Sequence, residues 1–324
     1  MTEQEVTELR ECTLTKRTAF HYFKDRYALE LLRYRVGDGM DIRSIKRSAF
    51  AQLLQKEIIK DIAAKSGGAD LRPEQLHVWP SHYQSYYLSH GRYGNKSKWG
   101  YGYYQTTRRG FNLALHLNFS SQHDDAYQQL INPGQGEHPF LSLRHPHSAL
   151  RNTLAWARLD IDLKNSEALI EEIQTDWLRY ARWTRAYLHR TKPKNPRGKT
   201  IAEKFPSRGF SRGLNCCLSQ LDRYVDFALG PYQKTWDEAM MLATIWYLRE
   251  EVGISRIFYH TFEAGCRVKR IEGRLPPRSI YSRLPKRFCF EETSVGPACV
   301  TNYPEGYMKH VLRAGLARWY LLKL

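Results

Sequence analysis

The clearest pattern along the chain is a period-two alternation of apolar and polar positions over LAWARLDIDL (154–163). Leu154, Trp156, Arg158, Asp160 and Asp162 share one face, and Ala155, Ala157, Leu159 and Ile161 share the other, as successive side chains of a strand do. FNLALHLNF (111–119), ALIEEIQTDW (168–177) and ISRIFYHTF (254–262) read as further strands. Helical spacing dominates the start of the chain. Thr18 to Arg35 runs with few breakers to Gly37 and Gly39. Asp41 then caps a second helix reaching Lys65, with Ile45, Ala49, Leu53, Ile58 and Ile62 at helical spacing. Residues 1–75 are therefore expected to form a helical subdomain. Farther on, Thr235 and Glu238 have capping-box spacing, which predicts a helix from Thr235 to about Glu251, ended by Gly253. A helix joined to a strand by so short a turn is half of a βαβ crossover. The expected fold class is α/β (α+β): a mixed central sheet flanked by helices over 76–324, preceded by the helical subdomain.

Two segments break the pattern. Residues 82–110 interleave seven tyrosines and Trp99 with Gly, Lys and Arg, which suits a hairpin or an ordered loop. Such a segment either packs on the core with its hydroxyls outward or offers a stacking surface for unpaired bases, with Tyr101, Tyr103 and Tyr104 as candidates. Residues 190–213 form a basic loop rich in Pro and Gly. Lys192, Lys194, Arg197 and Lys199 there are candidates for tracking a phosphate backbone, against the alternative of a solvated loop.

Composition sharpens the choice of partner. Fifty Lys+Arg against 33 Asp+Glu leave a net charge of +17. That bears on partners and solubility rather than on fold, and it points to nucleic acid or a phosphate-rich cofactor. With no amphipathic basic helix or lipidation signal, no membrane partner is expected. No apolar run approaches the ~20 residues of a membrane helix, and the polar N-terminus lacks a signal-peptide core, so a cytoplasmic location is expected. Six cysteines include no CxxC pair, and no histidine stands at ligand spacing among the carboxylates, so no metal is expected.

The candidate chemistry lies in the strand over 168–176. Alternation puts Glu172, Gln174 and Asp176 on one face and Glu171 on the other, with Arg158 and Asp160 of the preceding strand able to face the first set. Carboxylates held close together repel, so one pKa is expected to rise and supply a general base, Glu172 or Asp176. The structural alternative is an Arg–carboxylate network. On this alternation, Glu172→Gln is expected to remove activity without loss of stability, and Glu171→Gln to do neither.

Two resemblances attach to these residues. ALIEEIQTDW, then PYQKTWDEAM and EEVGISRIFYHT, with LAWAR before them, resemble a domain of phage and mobile-element polyvalent proteins carrying EEIQSDW, a KTW helix start and a strand ending WTTG. The order strand, helix, strand and then RSIYSRLPKRFCFEET looks like the core of GNAT-type N-acetyltransferases. That second likeness implies a phosphate-binding turn at Gln233, Lys234 and Thr235, an acid at Tyr281, and a last strand starting at Phe288-Cys289-Phe290. The Q/R-x-x-G-x-G/A loop of those enzymes has no counterpart here; Gly230 alone precedes Gln233 and Lys234. The implied function is an acyl or aminoacyl transferase, with acetyl-CoA or an aminoacyl-tRNA as donor. The charge favours an RNA partner, tRNA first. A non-catalytic RNA- or DNA-binding protein of a mobile element, and a nucleotidyl- or ADP-ribosyl-transferring toxin using Glu172, are the alternatives.

Overall fold

Eight strands form one mixed, open sheet in the order β1-β2-β3-β4-β5-β6-β8-β7. The computed structural model describes all residues except 15–17, 67–69, 96–105, 207–208, 270, 272–274, 303 and 305. Tyr101, Tyr103 and Tyr104 lie outside the described residues. The chain opens with α1 (Glu3–Cys12), capped by a Thr2–Glu5 capping box, then β1 (Ala19–Tyr22), α2 (Arg26–Val36), α3 (Ile42–Lys46) and α4 (Glu57–Lys65). β2 (Gln84–Asn95), β3 (Gly110–Asn118), α5 (Ser121–Leu130), β4 (Thr153–Asp162) and β5 (Glu167–Gln174) follow. After β5 come α6 (Asp176–Arg190), α7 (Ile201–Lys204), α8 (Leu218–Arg223) and α9 (Gly230–Trp246). The chain then forms β6 (Arg256–His260), α10 (Phe262–Val268), α11 (Arg278–Arg287), β7 (Glu291–Thr293), α12 (Ala298–Thr301), α13 (Gly306–Arg313) and β8 (Trp319–Lys323).

The strands expected over 111–119, 154–163 and 254–262 are present, and β4, β5 and β6 are neighbours as the alternation requires. β5 and β6 form the one parallel pairing among the described strands; every other pairing is antiparallel. The start of the chain differs from expectation. Residues 19–22, predicted to be helical, pair with β2 and begin the sheet. Phe20 and Tyr22 of β1 are buried, and α2 and α4 contribute Leu31, Leu32 and Ile59 to the same continuous core as α9 and the sheet. The helix expected from Asp41 to Lys65 is broken into α3, a 3₁₀ stretch (Ala49–Gln55) and α4.

Strand alternation divides the side chains between two layers. Leu115, Leu117, Ala157, Leu159, Ile170 and Tyr259 face the larger core, where α9 crosses β4 and β5. Leu169, Phe258 and Trp319 face a smaller core closed by residues of α10, α12 and α13. Across the rest of that second face the sheet carries polar residues: Asn112, His116, Arg158, Asp160, Glu171 and His260 are all buried. No helix among the described residues is long and apolar enough to cross a membrane.

Burial sets how this fold responds to acid. It pushes the His116 imidazole down to about 3, and desolvation likewise lowers His90, His123 and His260. The folded protein therefore keeps these rings neutral where the unfolded chain, with histidines near 6.5, takes up protons. Stability is expected to be flat above about pH 7 and to fall as pH drops below about 6.5, by up to roughly 1.4 kcal/mol per pH unit for each such ring. Urea unfolding at pH 7.5, 6.0 and 5.0 measures the slope, and His116→Asn should reduce it. An unchanged slope in that variant contradicts the assignment.

Candidate active site

The polar face acquires its geometry from one extra residue in β5. Arg158 pairs with Glu172 and the next residue, Leu159, pairs with Ile170, so Glu171 is a β-bulge. Strict alternation sends Glu171 to the face opposite Glu172. The bulge turns both carboxylates to the same face, leaving Ile170 and Ile173 together on the apolar one. The parallel pairing of β5 with β6 ends at Ile170 and Tyr259. β6 ends one residue later, at His260, while β5 runs on to Gln174, and the bulge stands at this fork.

Glu171 is enclosed. Its carboxylate accepts from the Thr107 amide at 2.8 Å and the Thr107 hydroxyl at 2.7 Å, with His260 Nε2 at 3.3 Å and Lys269 Nζ at 3.4 Å. Lys269 also donates to the Glu171 carbonyl oxygen. Burial alone raises this carboxyl, but Lys269 and His260 outweigh it and hold it far below the usual carboxylate range. Burial lowers Lys269 and His260, each partly offset by Glu171.

Glu172 makes a separate pair with Arg158, Nη2 to Oε2 at 2.6 Å. Arg158 is 1% exposed and the Glu172 side chain 14%. The guanidinium also lies 4.4 Å from the centre of the Tyr93 ring. Burial raises the Glu172 carboxyl, and Arg158 more than reverses this, so its pKa is lowered. The expected rise in a carboxylate pKa is thus corrected: each of the two glutamates has its own cation, and neither is driven to protonate by the other.

Asp176 is not on the strand. β5 ends at Gln174, and Thr175 caps α6 by accepting from the Leu178 amide, leaving Asp176 as the first helical residue. A carboxylate there is favoured by the helix dipole. Asp176 accepts from Gln174 Nε2 at 3.0 Å, pairs with Arg179, and sits 2.7 Å from His145 Nδ1. The His145 side chain is 27% exposed, and its ring packs against Trp156 at 5.8 Å between centroids. Four buried polar atoms around this fork have no hydrogen-bond partner: Trp156 Nε1, Arg158 Nε, Tyr259 Oη and His260 Nδ1.

Arg158, Glu172, Gln174 and Asp176 are therefore brought together, as the sequence predicts. Asp160 shares their face but is taken by Arg108, at 2.6 and 2.8 Å, and by the Met1 amino group at 3.2 Å. Tyr281 lies on α11 and stacks on Tyr259, within the apolar core. Burial, followed by Tyr259 and then Glu172, raises its hydroxyl well above the usual tyrosine range. The strand expected to start at Phe288 begins three residues later, at Glu291, and is not the last, since β8 follows it.

The phosphate turn expected at Gln233, Lys234 and Thr235 is not a free helix start. The π-helical stretch (Tyr224–Ala228) after α8 ends at Leu229, which is the N-cap of α9, so that helix starts at Gly230, with Pro231 in its first turn, and the three residues lie inside it. The Gln233 amide donates to Leu229 within the helix, and Thr235 donates to Gln84 rather than capping. The other helix start near the fork, that of α6, carries a carboxylate. Lys192, Lys194, Arg197 and Lys199 are exposed in the segment after α6, as expected of that loop.

Sequence reasoning missed His145, His260 and Lys269. His260 had a visible signal, since alternation in β6 puts it on the Phe258 face opposite Tyr259. His145 lies in a loop with no periodicity, and Lys269 meets Glu171 across 98 residues. Comparison with known proteins gives no match: no family model, curated protein or solved structure matches the chain.

Glu171→Gln leaves Lys269 buried without its counter-charge and is expected to cost about 3–5 kcal/mol. Glu172→Gln strands buried Arg158 and is expected to be destabilising as well, contrary to the alternation argument. Denaturant unfolding of both variants tests this; a Glu171→Gln variant of wild-type stability contradicts it.

Proposed function

We propose that this protein is a GNAT-like transferase that moves an acyl or aminoacyl group from the 3′ end of an RNA to an acceptor amine. His145 is the base and Asp176 the residue that orients it. The observation that carries this reading is the 2.7 Å contact of His145 Nδ1 with Asp176, just past the C-terminal end of β5. An imidazole held at one nitrogen by a carboxylate presents the other nitrogen in a fixed direction, the arrangement general-base chemistry needs. The sheet supports the same reading. Its one parallel pairing among described strands ends beside a bulge, and the last strand returns between β6 and β7. The net charge of +17 supports RNA as the carrier of the donor.

In the reaction, the acceptor nitrogen attacks the ester carbonyl of the donor while His145 Nε2 takes its proton. The new C–N bond forms, the ester C–O bond breaks, and the ribose hydroxyl leaves with the proton returned by the imidazolium. Tyr281, on the apolar side of the sheet, is not required. No step depends on CoA.

His145→Asn should lower transfer from aminoacyl-RNA by roughly 10²–10⁴-fold, the usual range for loss of a positioned base. Its melting temperature should stay near wild type, since the ring is partly exposed. Transfer of labelled amino acid from a charged tRNA pool to amine acceptors measures this. Equal rates in His145→Asn and wild type would remove the proposal, leaving RNA binding without catalysis.

A further inference from the structure

The first helix after the fork carries a feature that the site chemistry does not use. The solvent face of α6 consists of Arg179, Arg182, Trp183, Ala186, His189 and Arg190, all exposed and none acidic. Trp183 is 45% exposed, an unusual position for so large an apolar side chain. It is nonetheless ordered from beneath. Its ring stacks on Tyr187 at 5.4 Å and 24°, and Phe210 braces both rings edge-on at 5.5 and 4.8 Å. Neighbouring acids are already engaged: Asp222 faces His189 at 2.9 Å, and Asp226 pairs with Arg185. Arg182 is held by the neutral amide of Gln233 at 2.8 Å rather than by a carboxylate, so its charge is left for a partner.

We infer that this face of α6 binds the unpaired 3′-terminal nucleotides of an RNA, with one base stacked on Trp183 and the backbone phosphates on Arg182 and Arg190. The inference rests on the transferase reading above for the direction of the strand. An exposed ring braced from one side, with Arg182 and Arg190 beside it and no carboxylate on Arg182, is what single-strand binding requires. The ring accepts any base face and the cations take the phosphates. The position suits the chemistry too. From Asp176 to Trp183 is seven residues, about 10 Å along the helix, so a base on Trp183 leaves only a short stretch of chain before an ester at His145. The exposed Lys192 and Lys194 continue the positive track beyond the end of α6.

The test is fluorescence anisotropy with a labelled single-stranded RNA, the same sequence as a blunt duplex, a single-stranded DNA of that sequence, and vesicles of phosphatidylglycerol. Trp183→Ala and the double variant Arg182→Ser/Arg190→Ser are compared with wild type, each first shown to unfold at the wild-type denaturant midpoint. Trp183→Ala should weaken single-stranded RNA binding roughly 5- to 150-fold at every salt concentration, because stacking is not screened. The double variant should instead lower the log–log salt slope by about 1.4. Tighter wild-type binding to the single strand than to the duplex supports the inference, and the DNA arm reports whether ribose contributes. Equal affinity of Trp183→Ala and wild type overturns it, as does binding to vesicles but not to RNA. The two proposals fail separately. If His145→Asn stops transfer while Trp183→Ala leaves RNA affinity unchanged, the α6 assignment falls and the transferase stands. If Trp183→Ala weakens RNA binding while His145→Asn is silent, the α6 assignment stands and the transferase falls.

Discussion

The buried carboxylate of Glu171 is the constraint from which the rest of the polar face follows. A charge removed from water needs hydrogen bonds and a counter-ion, and Glu171 has the Thr107 amide and hydroxyl, His260 and Lys269. Those partners come from three distant parts of the chain: the segment before β3, the end of β6 and the end of α10. One carboxylate therefore ties the fork of β5 and β6 to the layer above it. The bulge that admits it also places Glu172 opposite Arg158, just past the last parallel pair of β5 with β6. Without the extra residue, alternation continued from Leu169 would turn Glu172 to the apolar face against α9, away from Arg158.

From that arrangement the division of labour among the acidic residues follows. Glu171 holds the structure and is inaccessible. Glu172 is fixed by Arg158. Asp176, in the first turn of α6, is placed to hold His145. Three carboxylates within six residues thus reach three environments, because a bulge and a helix start intervene between them. Mutual repulsion, the basis for expecting a raised pKa, is replaced by three separate pairings.

Much of the fold was legible because it depends on local periodicity. The strands over 111–119, 154–163 and 254–262, and the adjacency of β4, β5 and β6, follow from alternation and from the short turn before β6. The errors occurred where tertiary contacts override local pattern. Ala19–Tyr22 looked helical within its run but pairs with β2, burying Phe20 and Tyr22. Thr235 looked like a cap, yet α9 starts five residues earlier, at Gly230, with Leu229 as its N-cap. The position of Glu171 was illegible for a sharper reason: a bulge shifts the period by one, and no composition rule marks where it falls. Of the site, the sequence pointed to Glu172, Gln174, Asp176 and Arg158. His145 was not visible, because it reaches Asp176 from a loop of 31 residues' separation.

The central claim is that the protein takes its acyl group from an RNA 3′ end rather than from CoA. Mass spectrometry of the small molecules and RNA that co-purify with the protein, run before and after mild base to cleave ribose esters, tests it most directly. The account predicts RNA carrying a base-labile acyl or aminoacyl ester, with CoA species absent. Stoichiometric CoA or acyl-CoA with no RNA would contradict it.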